Sequence, residues 1–298
     1  MSVTALRTVT IATSEQDSTF HHQAMALGEI WREEGLTDQT TSLFTGGSVE
    51  NAHLVADGKA DFGCMAANWL PLAATGKPPF RAPLAVRLLT PINTGPLFFV
   101  AAAASPLRSF ADLKGKRVAL GVENSGMVQH IHSQFRALGL PLETVQPVYV
   151  NASEGGEMLI AGKVDAVWQM PIPNVHFTKL AKRLPLRVLP FSTDERKRIM
   201  DAVPYYADAV IPKGAFPGHD QDVITPGVIN ILAVHANAPD DRIYQLTLAV
   251  IAHAKNLAAR NPLFLGLDKL LAEAPKRIIP VLEKAGAHQH KGAQRAFS

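Results

Sequence analysis

Cysteine is almost missing from this chain. Cys64 is the single one among 298 residues, which rules out an internal disulfide and any cysteine-rich zinc module. Long apolar stretches are missing too: no run of about 18 apolar residues occurs, so no segment qualifies as a membrane-spanning helix. The net charge is only +3, and Lys179, Lys182, Arg183 and Arg196, Lys197, Arg198 form local basic clusters. They read as solvated helix faces, because nucleic-acid binding calls for a denser basic stripe with stacking aromatics beside it. The opening MSVTALRTVTIAT lacks a basic segment, an apolar core and a small-residue cleavage site, so it reads as a mature periplasmic chain or, alternatively, a cytoplasmic one.

Signatures of chemistry are equally sparse. ENSGM puts Glu123 where a nucleophile elbow needs glycine, which removes a hydrolase reading of Ser125, His130 and Asp165. GGSVEN lacks the Gly-Lys-Ser/Thr of a phosphate loop. His21-His22 and His130-x-His132 diverge on a helix, where metal pairs prefer a four-residue spacing. No cofactor or metal is therefore expected, and only His288-Gln289-His290 in the polar tail is left as an adventitious metal binder. Cys64 would need a nearby His53 or His22 to become a nucleophile; flanked by apolar residues, it reads as a small buried hydrophobe.

What is present is a globular composition, 47% hydrophobic and 18% charged, with length for two ordinary domains or one large one. A short pattern occurs twice. LVADGKADFGCM at residues 54–65 and LIAGKVDAVWQM at residues 159–170 share an aliphatic helix end, Gly-Lys-x-Asp and a bounded apolar run. Glycine just past a helix supplies the left-handed residue that ends it, and the short apolar run suits a buried strand. The pattern predicts one helix–Gly–strand device used twice.

The rest of the chain alternates in the same way. Strands are expected at residues 7–12, 40–44, 84–89, 97–103, 117–120 and 148–150, and again at 228–235. Helices are expected from Ser18 to about Gly35, at 49–56, 127–138, after Ser192, at 241–261 and at 267–284, where Ile243, Leu246, Ala249 and Val250 form a core-facing stripe. Alternating strand, polar loop and helix predicts mostly parallel sheets with crossover helices, in two lobes of similar plan. If the chain crosses between lobes near 99–104 and 228–235, the two crossings make a hinge, and the ligand cleft lies outside the carboxyl ends of both sheets. The corresponding lobes are 1–102 plus 233–298, and 103–232.

FTGGSVENAHLVADGKADFG, SFADLKGKRVALG and IPKGAFPGHDQDV, in that order, resemble segments of the TAXI group of solute receptors, which serve tripartite ATP-independent periplasmic (TRAP) transporters. The resemblance runs from about Leu6 to Lys284. It implies an α/β, two-lobed periplasmic-binding-protein fold of type II kind, with two mixed or parallel sheets flanked by helices and a two-strand hinge. It also implies capture of a small, usually carboxylate-bearing solute without chemistry, and delivery to a membrane permease. Carried over position by position, it implies ligand-binding residues in the loops after the strands. These are Thr13, Ser14, Ser18 and Thr19; Gly47, Ser48 and Asn51; Asn68 and Trp69; Ser125 and Gly126; and Gln169 and Pro171, with His22 adding aromatic surface. Glycine lets backbone approach a ligand, hydroxyls donate, and helix N-termini present free N–H groups.

Two loops depart from that pattern. The first carries Glu15 and Asp17 and ends Thr19-Phe20-His21, and the third adds Glu123. Carboxylates oppose a simple anion, by about 1 kcal/mol per pair at ~4 Å in water. The expected guest therefore has an aromatic, neutral or partly cationic portion. The competing expectation is a cytosolic enzyme or ligand sensor on the same fold.

Overall fold

The computed structural model describes residues 6–123, 125–169, 172 and 174–298, and the chain forms two compact units. The first is Met1–Asn93 with Ile229–Ser298; the second is Thr94–Val228. The crossings thus fall inside two strands, one ending at Pro96 and the other spanning Val223–His235.

In the first unit, β1 (Leu6–Ala12), α1 (Thr19–Glu33), β2 (Thr37–Leu43), α2 (Ser48–Ala56), β3 (Phe62–Ala66) and α3 (Trp69–Thr75) alternate, and β4 (Val86–Pro96) leads out. β1 pairs in parallel with both β2 and β3. α1 buries Ala24, Leu27, Ile30 and Trp31 at helical spacing, and the Trp31 indole N–H donates to the Leu246 carbonyl at 3.0 Å. Helix α3 was not expected: Asn68-Trp69 reads as a strand end in the sequence, yet Trp69 is the first helical residue.

The second unit contains β5 (Phe98–Ala102), β6 (Arg117–Ala119), α4 (Gly126–Ala137), β7 (Gln146–Val148), α5 (Ala152–Ile160), β8 (Ala166–Gln169), α6 (Val175–Arg183), β9 (Leu186–Leu189), α7 (Thr193–Ala202) and β10 (Tyr206–Ile211). Its five-stranded sheet runs β7-β6-β8-β5-β9, with β6 parallel to β7 and β8, and β5 antiparallel to β8 and β9. Phe98, Val100, Val167, Phe177, Leu180 and Phe216 belong to one core cluster there. Strands β9 and β10 went unread in the sequence. LRVL is short and YADAVI alternates weakly, so both depend on their partners for definition.

β11 (Val223–His235) returns the chain. Its first half pairs antiparallel with β10, from Ile211↔Val223 to Tyr206↔Val228, and its second half pairs antiparallel with β3. α8 (Asp240–Ala252), α9 (Ala254–Arg260), α10 (Leu267–Lys284) and α11 (Lys291–Phe297) complete the first unit. The single helix expected over 241–261 is broken at His253, whose Nε2 lies 2.7 Å from Glu34 Oε1. The C-terminal segment also differs from the polar tail expected. Leu88 bridges Gln289 in parallel, and His290 is buried with Nδ1 accepting the Gly292 N–H, so the His288–His290 stretch is structural.

The repeated pattern is one device built twice. Gly58 and Gly162 have φ of 68° and 67°. Lys59 N–H donates to Leu54 O and Lys163 N–H to Met158 O, each at 2.8 Å, closing the helix in the same way. Asp61 Oδ2 accepts the Thr10 N–H and Asp165 Oδ2 the Arg117 N–H, both at 2.8 Å, and each Asp returns its own N–H to the same residue's carbonyl. The Asp of Gly-Lys-x-Asp thus staples the incoming strand to its neighbour at the amino edge. The second copy adds an ion pair, Arg117 Nη2 to Asp165 Oδ1 at 2.9 Å.

Candidate functional site

In the first unit, one buried amide ties the loops after β1 and β2 to the middle of β3. Asn51, fully buried on α2, donates from Nδ2 to the Thr13 and Cys64 carbonyls, each at 2.6 Å. The Thr45 hydroxyl lies 2.6 Å from Asn51 Oδ1 and accepts the Gly47 N–H at 3.0 Å. Thr13 is buried, with its N–H donating to Leu43 O at 2.9 Å and its hydroxyl turned to the same carbonyl. Ser48 Oγ accepts the Ala66 N–H at 3.2 Å. Thr13 and Asn51 therefore set the loops, and their own polar atoms are occupied within the fold.

Of the remaining first-unit residues, Ser14, Ser18, Asn68 and Trp69 are half-buried and His22 is exposed, whereas Thr19 and Gly47 are buried. Ser18 caps α1 by accepting the His21 N–H at 3.2 Å, and the Ser14 hydroxyl lies 2.7 Å from Ser18 Oγ. Thr19 is buried at the start of α1. Gly47 stands at φ 105°, a conformation that side chains resist, and no atom lies within 4 Å of where a Cβ would project. Asn68 follows β3, and its Oδ1 is buried without a partner among the described residues; Trp69 beside it is half-buried. His22 is exposed on α1 and lines a groove of about 230 Å³ with Glu29, Leu257 and Arg260, a lining that includes none of the strand-end loops.

In the second unit, Ser125 caps α4, accepting the Val128 N–H at 3.4 Å, and its own N–H donates to Val122 O at 3.0 Å. Gly126 is exposed, with open space where a Cβ would project. Gln169 ends β8, buried opposite Phe98. Pro171, together with Asn124, Met170 and Pro173, lies outside the described residues. Two further caps escaped the sequence reading: Asn151 on α5 accepts the Glu154 N–H at 2.9 Å, and Asn174 on α6 accepts the Phe177 N–H at 2.8 Å. Their signal was an Asn just ahead of each helix, in YVNAS and IPNVH.

The titratable groups point away from catalysis. Cys64 is fully buried, and burial pushes its thiol far up, so the nucleophilic thiolate is not formed. His130 Nδ1 lies 2.6 Å from the Tyr206 hydroxyl, and burial holds this imidazole down at about 4. Asp165 is engaged by Arg117, whose guanidinium hydrogen bond holds the carboxyl below its usual range. Ser125, His130 and Asp165 are thus spent on three separate tasks. Among the described residues no group of three or more His, Cys, Asp or Glu could hold a metal ion. What the loops offer is hydroxyls, exposed backbone at Gly126 and helix N-termini.

A model of the NMT1-like family matches residues 11–298. Three solved structures are similar along nearly their whole length. One is a putative sulfonate ABC transporter's periplasmic sulfonate-binding protein, SsuA, from Methylobacillus flagellatus (16% identity, covering 99% of this chain and 92% of that one, TM-score 0.53). Another is the probable amino-acid ABC transporter extracellular-binding protein YtmK from Bacillus subtilis (15%, 88% and 99%, 0.55). The third is a Xanthomonas citri protein bound to ATP (12%, 97% and 98%, 0.52). At these identities the likeness concerns the fold alone: this chain has the two-lobed α/β fold of periplasmic solute-binding proteins, with two mixed sheets flanked by helices.

Proposed function

The chain belongs to the NMT1-like family, and from that premise we propose that it is an extracytoplasmic solute receptor of the TAXI kind. It captures a small organic acid or related solute on the strand-end loops of its two units, without chemistry, and delivers it to a TRAP permease. The observation that carries this reading is the shared plan of the two sheets. In each, three parallel strands (β2-β1-β3 and β7-β6-β8) are each followed in the chain by a helix, and Ser18, Gly47 and Ser125 cap three of those helices. Loops at the carboxyl ends of parallel strands are where open α/β sheets take ligands.

Within this reading the residues divide by task. Ser14, Ser18 and Ser48 supply hydroxyls, Gly47 and Gly126 admit the solute to the backbone, and Asn68, Trp69 and Gln169 border it. Thr13 and Asn51 hold the loops in place.

A thermal-unfolding screen with small carboxylates, aromatic acids and amines tests the reading. A true solute at 100 times its dissociation constant raises stability by about 2.7 kcal/mol. A screen in which no small molecule moves the midpoint removes the receptor role. Uptake by a reconstituted TRAP permease that does not depend on this protein removes the delivery step alone.

A further inference from the structure

Single large apolar side chains open to water are ordinary on a folded chain, and only their gathering at one kind of place carries information. Among the described residues eight stand out, and half of them follow the carboxyl ends of parallel strands. Phe44 (48% exposed) follows β2, Val122 (56%) follows β6, Tyr149 (38%) follows β7, and Val175 (47%) opens the helix after β8. Phe44 is also held in place: its ring lies 5.2 Å from that of His21, and His21 Nδ1 sits 2.8 Å from Ser42 Oγ. These are the positions that the receptor reading turns toward the solute.

The charge on the same loops has one sign. Glu15, Asp17 and Glu123 are exposed, and none is ion-paired among the described residues. Asp17 holds φ at 59°, a left-handed conformation uncommon outside glycine. The loops 13–19, 44–48, 67–69, 121–126, 149–151 and 169–175 contain no Lys or Arg. In each unit taken by itself, exposed apolar side chains and unpaired carboxylates stand on the same strand-end loops, a pairing that disfavours a small dianion because like charges repel. It favours a flat apolar body with a positive group, since aromatic faces and carboxylates both attract cations.

Resting on the receptor reading above, we propose that the solute has an aromatic or similarly apolar body and a cationic nitrogen, with net charge zero or positive. Any carboxylate it carries is balanced by that nitrogen.

Calorimetric titration with phenethylamine, phenylalanine, glutamate, 2-oxoglutarate and ethanesulfonate tests the assignment. Phenethylamine or phenylalanine is expected to saturate the protein one to one. Phe44→Ala, and separately the double change Glu15→Gln with Asp17→Asn, should each weaken that binding about tenfold while the urea midpoint stays put, because all three side chains are exposed. Saturation by glutamate, 2-oxoglutarate or ethanesulfonate in preference to the two nitrogen compounds overturns the ligand class and leaves the receptor standing. Saturation by none of the five, in a protein that a wider screen also finds inert, overturns both. Unchanged affinity in Phe44→Ala and in the double variant overturns the assignment to these loops.

Discussion

His130 carries a pH dependence that can be read from its surroundings. The imidazole is buried against Tyr206, and burial lowers it from the ordinary 6.5 to about 4. An unfolded chain takes up a proton on this ring near pH 6.5, while the folded one declines it until about pH 4. The folded state is therefore favoured in full above pH 6.5 and loses that advantage as pH falls toward 4, by roughly 3 kcal/mol in all. His130→Gln keeps a hydrogen-bonding side chain and removes the titration. Urea unfolding from pH 7 to pH 4 should show wild-type stability falling more steeply than the variant's, by roughly that amount. Parallel curves would show that the ring is hydrated in the folded protein.

At the scale of elements, the question is what keeps the loops of the first unit in register. Asn51 is the hub, joining the residue after β1, the middle of β3 and the loop after β2 to α2 through two donated hydrogen bonds and one neighbouring hydroxyl. Asn51→Ala removes both amide donors in a buried place, leaving the Cys64 carbonyl short of one bond and the Thr13 carbonyl with the Thr45 hydroxyl, 3.1 Å away. The cost should be roughly 3 kcal/mol, read as a lower urea midpoint at unchanged slope. Asn51→Asp does not restore it, because a carboxylate cannot donate to two carbonyls. A loss under about 0.5 kcal/mol would mean water replaces the amide.

The same scale shows how much of the fold the residues declared in advance. Gly58-Lys59-Ala60-Asp61 and Gly162-Lys163-Val164-Asp165 announced a repeated device because its parts are local: a left-handed Gly, a helix end, an adjoining strand. The Asp staple to the neighbouring strand was invisible, since Thr10 and Arg117 lie 51 and 48 residues away in sequence. β9 and β10 were unread for a related reason: each is defined by its partner, β5 or β11. The C-terminal HQHKG stretch looked like a polar tail because its burial comes from Leu88 and Ala238, far off in the chain. At the site, Gly47, Ser48 and Ser125 were marked by turn and cap chemistry. The outward stance of Phe44 and Tyr149 was not, because exposure is a property of the assembled surface.

At the scale of the whole molecule, two units of like design each present loops and helix N-termini at the ends of parallel strands. The central proposal is that these strand-end loops hold the solute. Calorimetric titration of the solute identified by screening, against wild type, Phe44→Ala in the first unit and Gly126→Trp in the second, tests it most directly. Neither change should disturb folding, since Phe44 is exposed and the space beyond Gly126 is open. The account predicts one-to-one binding, weakened about tenfold or more by each change at an unaltered unfolding midpoint. Full affinity retained in both variants would contradict it, because the loops would then take no part in holding the solute.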